Sequence, residues 1–222
     1  MKVYYTSSLW SKEKGVWGGI QKINWQFEHL GLKRCIPCIY HFKKGIVFDL
    51  LTFLDEDKLK AYLEKYEKIE DRLTPIEQRC AEQEHPYRDM EINEIWIDGH
   101  RIDEGYSSSS ATSIPFAHEN SELLLVQKSY QSILHKADCF NCHRFCIPYP
   151  KAASTLQKLL RTLHLGRINT MKLITHEQRR FYPLDLRFTL SAEDSQKSVS
   201  FVHPVTGTTH KLYFQLDEAI EL

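Results

Sequence analysis

The sequence carries no excess of charge of either sign: Lys plus Arg number 29 and Asp plus Glu number 29. That balance removes the basic surplus by which nucleic-acid-binding chains neutralise phosphate, so no nucleic-acid partner is expected. Long apolar runs are missing as well. The opening residues, Met1-Lys2-Val3-Tyr4-Tyr5-Thr6, hold nothing that serves as a signal-peptide core. No later segment approaches the roughly 20 apolar residues of a membrane span. The best stretch, Ile46 to Leu54, is short and is interrupted by Asp49 and Thr52. A cytoplasmic protein with no membrane partner is the expectation. Also absent are a nucleophile elbow, a phosphate-binding glycine loop and a dinucleotide fingerprint. The second half has no tryptophan, since Trp10, Trp17, Trp25 and Trp96 all lie in the first.

What is present is a globular composition, 42% hydrophobic and 26% charged over 222 residues. A chain of this length buries about 70% of its unfolded surface and needs no disulfide staples. One large domain and two smaller ones are both compatible with it. Six cysteines in a cytoplasmic chain are expected as thiols or metal ligands rather than as disulfides.

Three segments read as helices. Asp55 to Asp71 has Leu59, Tyr62, Leu63 and Tyr66 at helical spacing, Asp55 as N-cap, and charges of alternating sign on its solvated face. A second helix opens at Thr74-Pro75, with Gln78 near the capping-box position, and ends before Pro86. A third runs from Ala152 to Leu165 and stops at Gly166. Strands are expected over Ile20–Phe27, Cys35–Phe42, Ile46–Phe53, Met90–Ile97, Leu123–Gln127, Met171–Thr175, Leu184–Leu190 and Val199–Val202, with a turn at Lys43-Lys44-Gly45. The last strand pairs in a hairpin with His210 to Leu216. Centred on Thr206-Gly207, the register sets Val199 opposite Phe214, Phe201 opposite Leu212 and His203 opposite His210. The fold class is therefore α+β, mainly antiparallel β in sandwich-like sheets with about three helices; two similar β-plus-helix units are a further arrangement. Ser107 to Ser113 is the linker candidate, dividing residues 1–106 from 114–222, and the two sides can equally pack as one body.

Several groupings suggest chemistry. Cys139-Phe140-Asn141-Cys142-His143 spells a c-type haem attachment string, but it stands in an extended segment with no export signal. Zinc fits better. Cys139, Cys142, His143 and Cys146 offer soft ligands within eight residues, and Cys35 and Cys38 form a second pair that would complete a tetrahedral site if the two met. Against this, both pairs lack the usual knuckle glycines. Cys35-Ile36-Pro37-Cys38 also matches a redox spelling, yet a strand rather than a helix follows it. His203 and His210 can chelate one metal across a hairpin, or bond to the turn backbone. Asp49 in an apolar strand is either a hydrogen-bonded core carboxylate or a general base awaiting a histidine. Trp10, Trp17, Trp25 and Trp96 are candidate ligand-binding rings, since aromatics on a β scaffold make stacking platforms; the alternative is that they close a core edge.

The C-terminal string Phe201-x-His-Pro-x-Thr-Gly-x-x-His-x-Leu resembles the end of uncharacterised β-rich proteins of anaerobic Gram-positive bacteria, and Val3-Tyr4-Tyr5-Thr6 through Trp17-Gly18-Gly19 is similar to their opening. The resemblance implies a bacterial, non-exported protein and carries no activity with it. A non-catalytic binding or interaction protein with a small-molecule or protein partner is the expected function, and no cofactor is expected. The rivals are a zinc protein using the Cys/His positions, an enzyme built on Asp49, and a structural component of an assembly.

Overall fold

A computed structural model describes residues 1–9, 15–67, 69–117, 123–134, 139–149, 159, 163, 166–178, 180–184, 186–187, 189 and 196–215. The chain divides into two compact units: Met1–Arg72 with Glu84–Gln178, and Leu73–Gln83 with Arg179–Leu222. The mainly antiparallel α+β class is as expected from sequence.

The first unit is built on a five-stranded sheet in the order β1-β2-β3-β7-β6, with every neighbouring pair antiparallel. Its strands are β1 (Gly19–His29), β2 (Leu32–His41), β3 (Gly45–Phe53), β6 (Ser107–Ser113) and β7 (Phe140–Pro148). A three-stranded sheet holds β4 (Ile92–Ile97), β5 (His100–Arg101) and β8 (Met171–Thr175) in the order β5-β4-β8. Along β2, β3 and β7 nearly every residue is buried, whereas edge strand β1 alternates between half-buried and exposed. Both faces of the sheet centre are therefore covered, which is why these central strands read as near-continuous apolar runs.

One face carries Ile36, Ile39, Phe48, Leu50, Phe145 and Ile147, packed against Ile92, Ile95 and Ile97 of the small sheet. This is the sandwich core. The opposite face carries Cys38, Tyr40, Val47, Leu51, Phe140 and Cys142, covered by Val3 and by Leu123, Val126, Tyr130 and Leu134. The last four belong to the region of α3 (Leu124–Ser129) and α4 (Gln131–Leu134). Leu123–Gln127 is thus helical rather than extended. Leu123 and Val126 are buried while Leu124 and Leu125 are exposed, a helical period that a run of four apolar residues conceals. Helix α1 spans Glu56–Tyr66, with Asp55 accepting from the Lys58 backbone N–H as its N-cap.

Ser107–Ser113, the expected linker, is strand β6, paired along its whole length with β7. Ser110 and Thr112 accept hydrogen bonds from Asn141 Nδ2, so an edge position and hydroxyl partners outweigh the poor strand propensity of serine.

The second unit contains α2 (Pro75–Glu84, apart from Glu84) and the hairpin of β9 (Gln196–Val202) and β10 (Thr209–Gln215). Thr74 caps α2 in a reciprocal box with Glu77, one residue before the expected Gln78. In the hairpin Val199 faces Leu212 and Phe201 faces His210, two residues away from the expected register. A slip of two keeps every side chain on its own face, so hydrophobic parity alone does not distinguish the two pairings. Residues 203–208 form the loop. The strand expected over 184–190 is not formed at its described positions, where Leu186 N–H bonds the Leu184 carbonyl. The helix expected over 152–165 lies outside the described residues except at Leu159 and Leu163, which share an i to i+4 backbone bond. No helix among the described residues is long and apolar enough to cross a membrane.

Gly45 opens β3 where no side chain fits: a Cβ there would be driven into the Ile147 carbonyl oxygen and to 2.8 Å from Pro148 Cα. Gly45→Ala is expected to destabilise the protein by about 1–3 kcal/mol through overpacking. A urea titration showing an unchanged midpoint would contradict this account of the β3–β7 junction.

Candidate ligand-binding cleft

The β1–β2 hairpin closes on Leu30-Gly31, both at positive φ (58° and 72°), the geometry of a tight turn matched to strand twist. Further along, the ladder shifts between Lys22 and Trp25, where Asn24 takes φ 51°, and the β2 residues facing the shift include Pro37. Such a bulge bends an edge strand and re-aims its side chains. Beyond it Trp25 lies opposite Ile36 and Phe27 opposite Arg34. Trp25, Phe27 and Ile36 face the small sheet, and with Met90, Met171 and Leu173 they line a cleft of about 570 Å³. His29 also lines it, two residues beyond Phe27 on the same strand. The sheets pack tightly along β2, β3 and β7 and leave this gap at the β1 edge.

Behind the cleft wall, outside its lining, lies a buried charge. Arg34, only 1% exposed, stands next to Phe27 in the register. Its Nη1 donates to Thr52 Oγ1 at 3.0 Å and its Nη2 to the Arg88 carbonyl at 3.0 Å, while Nε has no hydrogen-bond partner among the described residues. Burial lowers the guanidinium pKa, and the opposing pull of Tyr87 and Asp89 does not restore it. Asp89 makes its side-chain contacts through one oxygen, Oδ1. It accepts from Tyr87 Oη at 2.8 Å and lies 3.3 Å from His143 Nδ1, contacts that hold its carboxyl below the usual range. His29 has a buried Nδ1 without a partner among the described residues, and its pKa is lowered by burial and then by Arg34.

On the other face of the sheet the charge is complete. Asp49 is fully buried and pairs across strands with Arg144, which donates through Nε at 2.7 Å and Nη2 at 3.0 Å. Tyr130 Oη donates to Asp49 Oδ2 at 2.7 Å and lies 3.2 Å from Tyr40 Oη. Burial alone would lower the Arg144 pKa, but Asp49 more than reverses this and drives it up. With both oxygens engaged, Asp49 is the hydrogen-bonded core carboxylate of the two readings and not a free base.

The remaining sequence candidates scatter. Trp10 lies outside the described residues. Trp17 is 57% exposed, with Lys2 Nζ 4.6 Å from its ring centre. Trp96 donates from Nε1 to Glu94 at 2.9 Å, on strand β4. Among the described tryptophans Trp25 alone lines the cleft, so the four form no common platform. Cys35 and Cys38 sit on β2, and Cys142 and Cys146 on β7, with β3 between the two strands. Leu51 stands in the row between Cys35 and Cys142. Two strand spacings, about 9–10 Å, exceed any shared coordination sphere. Cys142 and His143, as strand neighbours, address opposite faces. No group of three or more His, Cys, Asp or Glu that could hold a metal occurs among the described residues. Burial pushes the Cys35 thiol up to about 11 and Cys142 well above its ordinary value, so both stay protonated at neutral pH. His203 Nδ1 accepts the Val205 and Thr206 backbone N–H groups at 3.2 Å, and His210 Nε2 lies 2.8 Å from Thr208 Oγ1, the turn-bonding arrangement.

No protein-family model, curated protein or solved structure matches the chain. The sequence reading did not single out His29 or Arg34. The signal lay in the alternation Ile23, Trp25, Phe27, His29 running up to Leu30-Gly31, which joins β1 to Arg34 through a hairpin.

Two outcomes follow from this chemistry. Arg144→Met, which leaves Asp49 buried without its cation, is expected to lower stability by about 3–5 kcal/mol, and Asp49→Leu combined with it should recover most of that loss. Chemical denaturation of the single and double variants checks this; equal losses would show that the two residues do not act as a pair. In a thiol titration of the native protein, half-exposed Cys80 should react first, and the five buried cysteines only after denaturant is added.

Proposed function

We propose that the protein is a non-catalytic binding protein whose first unit takes a small, largely apolar molecule in the cleft between its two sheets. The observation that carries this reading is the pair of rings on β1. Trp25 and Phe27 lie against the sandwich core yet stay half-exposed, facing Met90 and Met171 across the open gap. Sandwich sheets normally interdigitate with no such space. Apolar walls with a few polar groups at one end are the usual make-up of a small-molecule site. Methionines at the roof suit ligands of varied shape, because their unbranched chains repack.

The setting we propose is the bacterial cytoplasm. All six cysteines are free thiols in the fold, as suits a reducing compartment.

Titration with 1-decanol, followed by tryptophan fluorescence and calorimetry, tests the cleft. Saturable binding is expected, with Trp25→Ala weakening it by about tenfold while the unfolding midpoint moves little, since the ring is half-exposed. Binding that Trp25→Ala leaves untouched would place the ligand elsewhere.

A further inference from the structure

Strand β1 ends the five-stranded sheet and is 11 residues long. The outer side of an edge strand presents a row of backbone N–H and C=O groups to a further extended chain. The bulge does not scramble the side chains of β1, since half-buried and exposed residues alternate without a break from Gly19 to His29. Ile20, Lys22, Asn24, Gln26 and Glu28 make up the exposed row. Its only charges are Lys22 and Glu28, which stand three residues before and three residues after Trp25. Charges on an edge ordinarily deter pairing. Here their spacing chooses a register. With β1 laid antiparallel against a second copy of itself, centring on Lys22 or on Glu28 opposes like charges. Centring on Trp25 sets Lys22 of each copy opposite Glu28 of the other. The same register sets Asn24 opposite Gln26, Ile23 opposite Phe27, and Trp25 opposite its own counterpart. At the two ends Ile20, 59% exposed, meets Leu30, 45% exposed. Amide thus meets amide, apolar meets apolar and cation meets anion throughout, with opposed Cβ atoms about 4.5–5.5 Å apart.

We propose that the outer edge of β1 is a self-association surface, through which two copies of the chain pair antiparallel about a two-fold axis at Trp25. The partner is a second copy because the strand is complementary to itself. Such an interface is isologous, so every matched pair off the axis occurs twice. Pairing joins two five-stranded sheets edge to edge, satisfies the outward backbone groups of β1 and covers Ile20 and Leu30. The proposal goes beyond the cleft and does not depend on a ligand there.

Analytical ultracentrifugation of the intact chain tests this. The mass is expected to rise with concentration from 26.1 kDa to twice that value. Lys22→Glu sets Glu against Glu across the axis, and Glu28→Lys sets Lys against Lys. Each should weaken dimerisation by about tenfold. An equimolar mixture of these two variants should recover it, because a mixed dimer regains both opposite-charge pairs. The double variant, Lys22→Glu with Glu28→Lys, should recover it alone. Both positions are exposed, so these variants keep the fold, which circular dichroism checks. A chain that stays at 26.1 kDa up to about 0.5 mM overturns the proposal. So does a dimer whose strength neither single variant changes, or a mixture no tighter than its components.

Discussion

The ladder between β3 and β7 is the constraint on which the first unit is built. Nine consecutive residue pairs, from Gly45 opposite Pro148 to Phe53 opposite Phe140, run without a bulge. A regular antiparallel ladder gives strict alternation, so each residue on these strands has its face decided. Near its middle Asp49 lies directly opposite Arg144. A fork of two charge-assisted hydrogen bonds admits one register only, because displacement by one pair would bury two unpaired charges. Phe48 and Phe145, stacked at 5.1 Å on the reverse face, tie the same register to the sandwich core. Everything else attaches to this pair of strands: β2 and β6 along their outer edges, the small sheet on one face, and the N-terminal segment with α3 and α4 on the other.

Regularity at the centre is matched by irregularity toward the β1 edge. Both the β1–β2 and the β2–β3 ladders shift, the first between Lys22 and Trp25 and the second between Cys35 and Ile39. Pro37 lies at the meeting of the two shifts, where it has no N–H to give to a neighbour. Bulges increase local twist, so the edge hairpin departs from the plane of the central strands. A sandwich whose sheets diverge at one edge cannot close there, and a cleft lined by Trp25 and Phe27 follows. The bulge thus links a local backbone feature to a place in this unit where two aromatic core residues, Trp25 and Phe27, remain half-exposed.

The central strands, the turn at Lys43-Lys44-Gly45, the Asp55 cap and β8 were legible because each has a local cause: an apolar run, a turn residue, a capping side chain. Misreadings arose where tertiary context decides. Ser107–Ser113 has a linker's composition and becomes a strand because Asn141 holds its hydroxyls. Leu123–Val126 has no polar residue to reveal its period. The C-terminal hairpin kept its parity and lost its register because the loop closes on six residues, with His203 N–H bonded to the Thr208 carbonyl, rather than on Thr206-Gly207. At the candidate site Trp25 was legible as an aromatic on a β scaffold, but its partners were not. Met90 and Met171 are distant in sequence, and only the packing of two sheets brings them to β1. The cysteine strings misled for a related reason: spacing records proximity along the chain, and β3 inserts a whole strand between the two pairs.

Asp49–Arg144 and Arg34 form a controlled comparison within one sheet. Both arginines are buried, both lie on central strands, and their rows address opposite faces. If burial alone governed guanidinium placement, each would need the same compensation. One has a carboxylate, two tyrosines in relay and a backbone carbonyl; the other has a threonine hydroxyl and a backbone carbonyl. The difference tracks the surroundings. The Asp49 face is covered by the N-terminal segment and two short helices, and Arg144 also lines a small pocket there with Met1, Ser8 and Val126. Arg34 lies opposite Phe27, a residue of the cleft wall, but is itself buried outside that lining. Equal burial is thus compatible with two ways of compensating a guanidinium, a carboxylate fork in one row and neutral oxygens in the other.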